Sequence, residues 1–95
     1  MILARVTGTV VASARSDRME QPTYLLVTPC AVDGKPDGTA IVALDSVGAG
    51  QGEIVLVSQG SSTRQIPETI DKPVDALVIG IVDIVEESGK DVYSK

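Results

Sequence analysis

Asp45 and Glu53 stand on either side of a loop with three alternating glycines, Gly48-Ala49-Gly50-Gln51-Gly52. Two carboxylates facing each other across a loop can divide general acid and general base work between them. Alternate glycines can also present backbone N–H groups to a phosphate. The surroundings favour neither chemistry. The loop fixes no distance between the carboxylates. Asp45 reads better as a side chain capping its own turn, and Glu53 as paired or solvent-exposed. A dinucleotide fingerprint requires different glycine spacing and a helix after it, whereas Ile54-Val55-Leu56-Val57 follows here and reads as a strand. Gly34-Lys35 and Gly89-Lys90 lack the Ser or Thr that completes a phosphate-binding P-loop. Glycine also serves where φ is positive or where another backbone comes close. Close backbone packing, or a loop lining a pore, is therefore the better reading.

Ser61, Ser62 and Arg64 form a second candidate group. They could bind an anion at a helix start. The preferred reading is a helix-capping hydroxyl plus an ion pair to a neighbouring subunit. Other chemistry is excluded by composition. There is no His, so Ser-His-Asp and Cys-His nucleophile pairs cannot form. The single Cys30 allows no intrachain disulfide and no multi-cysteine zinc site. It lies in the apolar run 25–30 and reads as a small buried hydrophobe, compatible with a reducing cytosol. Asp33 and Asp37 near Gly34 are too few for a calcium loop and read as solvated turn carboxylates. No catalytic residue, cofactor or metal is expected.

The elements that would position these residues are β-strands. Ninety-five residues are expected to form one domain, residues 1–95. A chain of this size buries only roughly two-thirds of its unfolded surface, so association is a plausible source of added stability. Fourteen Val and eight Ile supply most of the apolar volume, while Phe and Trp are absent; β-branched residues suit strands. The net charge of −5 and the scarcity of aromatics argue against nucleic-acid partners and anionic membranes. No run approaches the roughly 18 to 20 apolar residues of a membrane span, and the N-terminal residues do not resemble a secretory signal.

Along the chain, residues 2–14 read as a long first strand, and Gly8 within it predicts a bulge or bend. Residues 15–22 are a polar loop, and 24–28 a second strand. Asp33-Gly34 and Asp37-Gly38 mark turns leading to a third strand at 39–44, which makes a hairpin with the second. The glycine loop follows, then a fourth strand at 53–58. Its nearly continuous apolar run predicts cover on both faces, from the core and from a neighbouring subunit. Residues 61–66 could form one helical turn, and 68–72 a mobile connection between Pro67 and Pro73. The last strand region, 74–85, is interrupted by Gly80, which predicts a second bend, with Asp75 and Asp83 on either side of it. A turn at 86–90 leads to a short returning strand at 91–93. This pattern predicts an all-β fold, a small OB-like Greek-key barrel with one short helical turn.

Several segments together resemble the EutN/CcmL family: Met1-Ile2-Leu3-Ala4-Arg5-Val6-x-Gly8, Leu25-Leu26-Val27, Asp45-x-Val47-Gly48-Ala49-Gly50, Glu53-x-Val55-Leu56-Val57, Gly60-Ser61-Ser62-x-Arg64 and Pro73-Val74-Asp75-Ala76-x-Val78-x-Gly80-Ile81-Val82-Asp83. The resemblance covers nearly the whole chain in order. Thr63 departs from it, standing where Ala is common, and the 15–22 loop is individual to this chain. The resemblance implies a non-catalytic structural protein. Five copies would form a cyclic pentamer with a narrow axial pore, at the vertices of a polyhedral bacterial microcompartment shell in the cytoplasm. Its partners would be copies of itself and hexameric and trimeric shell proteins. The expected subunit-interface or pore residues are Asp45, Gly48, Ala49, Gly50, Gly52, Glu53, Ser61, Ser62 and Arg64. The alternative is a monomeric OB-type module that binds a small ligand, an oligosaccharide or a protein.

Overall fold

A computed structural model describes residues 1–11, 23–60 and 75–95. Among the described residues there are seven strands: β1 (Ile2–Val10), β2 (Tyr24–Pro29), β3 (Ile41–Asp45), β4 (Ile54–Gln59), β5 (Ala76–Ile81), β6 (Ile84–Glu87) and β7 (Lys90–Ser94). The first five close into a barrel in the order β1-β2-β3-β5-β4. Neighbours are antiparallel except β3 and β5, which run parallel through Leu44–Leu77 and Asp45–Val78. The closed barrel agrees with the sequence expectation, and an OB-like description is consistent with it.

The residue types explain the barrel. Alternate positions along each strand point inward, and apart from Leu25 they are Ala or Val: Ala4, Val6, Leu25, Val27, Ala43, Val55, Val57, Ala76 and Val78 form one buried cluster. A barrel of so few strands has a narrow interior. Val and Ala fill it with the single Leu25, which accounts for a core built without Phe or Trp. A second cluster lies on the outer wall, where Leu44 and Leu77 are buried with Tyr24 and Ile79 packed beside them.

Both glycine interruptions are bulges. In β1 the register shifts between Val6 and Gly8, leaving Thr7 without an opposite partner on β2. In β5 it shifts beside Gly80, because Leu56 pairs Gly80 while Val57 pairs Val78. A bulge bends its strand and increases the local twist, which lets one strand serve two sides of a ring. Each glycine is overlaid by the leucine across from it. A Cβ added at Gly8 would lie 3.6 Å from the Leu26 Cβ, and one at Gly80 would lie 3.6 Å from the Leu56 Cδ1.

Several expectations need correction or limits. The third strand begins at Ile41, not at residue 39, after Gly38 turns with φ at 142°. The expected single strand region 74–85 is divided, with β5 ending at Ile81 and β6 beginning at Ile84. After Ile81 the chain leaves the barrel: the Val82 N–H donates to the Ile54 carbonyl and the Asp83 carbonyl accepts from the Lys95 N–H. Asp83 thus sits at the base of a separate hairpin, β6–β7, not within a strand. That hairpin turns through Ser88 (φ 54°) and Gly89 (φ 79°), the pair of left-handed residues that a type I′ turn requires. Finally, the helical turn at 61–66, the 15–22 loop and the 68–72 connection lie outside the described residues.

The expected double cover of β4 has a source within the chain. Ile54 is fully buried. A Cβ placed at Gly34 would lie 3.3 Å from the Ile54 Cδ1 and 3.2 Å from the Tyr93 Cδ1. The 30–37 excursion between β2 and β3 therefore folds back over β4, with β7 beside it.

Candidate subunit-contact site at the glycine loop

Residues 46–53 connect β3 to β4 and carry most of the expected interface positions. Asp45, the last residue of β3, organises the first half of the loop. Its Oδ1 accepts N–H groups from Val47 and Gly48, each at 3.1 Å, and its Oδ2 accepts the Ala49 N–H at 3.0 Å. One carboxylate thereby satisfies three successive backbone donors, a charge-assisted arrangement that defines the turn. Ser46 adds a bond from its hydroxyl to the Val78 carbonyl at 2.6 Å. Ala49 then folds inward and packs against the main core.

Glu53 organises the second half. Its Oε1 accepts the Gly50 N–H, and its Oε2 pairs with the Lys95 Nζ at 2.6 Å. The Lys95 ammonium, and after it the Gly50 N–H, hold the Glu53 carboxyl below its usual range. The same contact raises the Lys95 pKa. Asp45 and Glu53 thus both act as acceptors for their own loop. Their carboxylates hold backbone N–H groups in place.

The three glycines differ. Gly48 and Gly52 have positive φ, 75° and 84°, and among the described residues nothing lies within 4 Å of where a Cβ would stand. Within the protomer their requirement is backbone conformation. Gly50 has no such requirement. A Cβ there would lie 3.3 Å from the Glu53 Oε1, so its small size leaves room for the carboxylate.

Sequence reasoning missed Arg5. From β1 its Nε donates to the Gly34 carbonyl at 2.9 Å and its Nη1 to the Gly52 carbonyl at 2.6 Å. One guanidinium fork thus ties the glycine loop to the 30–37 excursion. The available signal was the one charged residue of β1, set between the inward-facing Ala4 and Val6. Cys30 lies close by; burial pushes its thiol up, against the opposing effect of the Arg5 charge. That suits an inert thiol. Asp33 accepts the Lys35 N–H at 3.0 Å, two residues on, as a turn carboxylate does. Among the described residues no group of His, Cys, Asp and Glu could hold a metal ion. Asp45, Gly48, Ala49, Gly50, Gly52 and Glu53 are brought together in one loop; Ser61, Ser62 and Arg64 lie outside the described residues.

The comparisons with known proteins agree with one another. A family model described as ethanolamine utilisation protein EutN/carboxysome matches residues 1–83. The chain is 46% identical to the bacterial microcompartment shell vertex protein EutN of Salmonella typhimurium, over 100% of this chain and 96% of that protein. Its fold is similar to that of Gloeobacter violaceus CcmL, with a TM-score of 0.92 and 43% identity, covering 100% of this chain and 98% of that one. It is also similar to GrpN, a pentameric microcompartment shell protein from Rhodospirillum rubrum, with a TM-score of 0.82 and 44% identity over 92% and 99% of the two chains. A closed β-barrel with a carboxylate-capped glycine loop, matched along its length in both sequence and fold, places this chain in the EutN/CcmL family.

Proposed function

We propose that this chain is a structural vertex protein of a bacterial microcompartment shell, acting as a homopentamer and not as an enzyme. The observation that carries the reading is the end-to-end match to a named shell vertex protein, 46% identical over the entire chain. The similarity to a pentameric shell protein of the same fold supports five as the copy number. Five copies related by rotation repeat one head-to-tail interface until the ring closes. A five-fold unit set among six-fold ones supplies the curvature that a closed shell needs. The partners are then copies of itself and the hexameric and trimeric proteins of the facets, and its place is the shell, within the cytoplasm.

Within that assembly the glycine loop is the proposed subunit-contact or pore element. Gly48 and Gly50 are exposed in the protomer, and the loop is fixed by Asp45 and Glu53 before any neighbour arrives. A preorganised loop loses little freedom on association.

Native mass spectrometry at several dilutions tests the copy number. A five-subunit species that persists on dilution is the expected outcome, and a monomer at every concentration would overturn it. Gly50→Val tests the loop. The variant should keep its β-sheet circular dichroism and lose the pentamer; a clean pentamer would remove the loop from the interface.

A further inference from the structure

Glu53 lies between two parts of the chain that are distant in sequence. One carboxylate oxygen holds the Gly50 N–H, and the other holds the Lys95 ammonium at 2.6 Å. Lys95 is itself fastened to the base of the β6–β7 hairpin, because its N–H donates to the Asp83 carbonyl at 2.7 Å. The neighbouring Val82 N–H donates to the Ile54 carbonyl at 2.9 Å, one residue after Glu53. Hairpin base and glycine loop thus meet at one carboxylate.

We propose that Glu53 is a latch between the hairpin and the glycine loop, with Lys95 as the residue that sets it. The Lys95 ammonium holds the carboxylate in the rotamer that places Oε1 on the Gly50 N–H. Anything that draws the hairpin away from the barrel, a neighbouring subunit included, releases Gly50 and leaves the Asp45-held half of the loop in place. The coupling is reciprocal: a partner that engages the Gly50 N–H weakens the hold of Glu53 on the hairpin. The other charged and titratable groups here are Arg5, which holds the Gly52 carbonyl, and Asp83 and Tyr93, which act on Lys95. None of these replaces Lys95 at Glu53. The latch lies within one protomer, so it can fail while the shell reading stands, and the reverse.

The experiment is amide hydrogen exchange, resolved by residue in NMR, on the full chain at neutral pH. Lys95→Met should speed exchange at Gly50 by about two- to five-fold, the scale of a surface ion pair. Exchange at Val47, Gly48 and Ala49 should be unchanged, because Asp45 holds those three. Lys95→Arg should restore the slow rate at Gly50, and high salt should bring the unmutated protein toward Lys95→Met. The proposal is overturned if Gly50 exchanges at the same rate in Lys95→Met. It is equally overturned if all four amides accelerate together, or if Lys95→Arg behaves as Lys95→Met does.

Discussion

Gly34 and the glycine loop both supply positive-φ glycines, for different surroundings. Gly34 is buried, with φ at 88°. A Cβ there would lie 2.6 Å from the Arg5 Nη2, with Tyr93 and Ile54 close behind. Gly48 and Gly52 share the conformation but face open space. The first glycine is a condition for folding the protomer. The other two shape a turn, and a Cβ at either would meet nothing within 4 Å among the described residues. A glycine in sequence therefore carries two meanings, and only what a side chain would meet separates them.

The largest expected effect comes from filling the crowded site. Gly34→Val combines an unfavourable left-handed conformation with displacement of the Arg5 guanidinium, and should cost at least about 2 kcal/mol of stability. Denaturant unfolding measures this; a midpoint within error of the parent would show that the excursion yields easily. Next comes Arg5→Met, which leaves the Gly34 and Gly52 carbonyls without their donor and should cost roughly 1–3 kcal/mol. Gly48→Ala should cost only about 1–2 kcal/mol, the backbone term alone. If it costs as much as Gly34→Val, the distinction between the two sites fails.

Glu53 gives the smallest effect, and its sign follows from the direction of its shift. Lys95 and the Gly50 N–H hold its folded pKa below the unfolded value. Its contribution is therefore present above the unfolded carboxylate pKa and fades as pH falls through the folded one. Glu53→Gln should lower the neutral-pH midpoint slightly, meet the parent at low pH, and so flatten the acid side of the stability profile. Thermal unfolding from pH 7 down to pH 3 would show this; an unchanged acid slope would mean that the pair forms too weakly to matter.

Much of the barrel was legible because its cause is local. Alternating Val and Ala announce strands, Gly8 and Gly80 announce bulges, and Ser88-Gly89 announces a tight hairpin. Strand limits were less legible. Nothing in Val82-Asp83 signals that β5 has ended, because the break arises when the chain exits the ring, where the Val82 N–H bonds the Ile54 carbonyl and the Asp83 carbonyl accepts from Lys95. The glycine loop could be located by composition, and a capping role for Asp45 follows from its position before the turn. Arg5 and Lys95 could not be read this way. Their partners lie dozens of residues away, and only the closed ring and the returning hairpin bring them together.

The ring has a consequence for growth. Sheets with open margins can lengthen indefinitely by recruiting strand after strand, the route to fibres. The barrel's five strands have used their margins on one another. Among the described residues the hairpin that remains carries Glu86, Glu87, Lys90 and Asp91 along short strands, charges of the kind that discourage pairing. Copies of the barrel must therefore meet through loops and walls, surfaces of fixed size and angle that fill up. Self-association of that kind comes to a stop, which suits a component that finishes an enclosure.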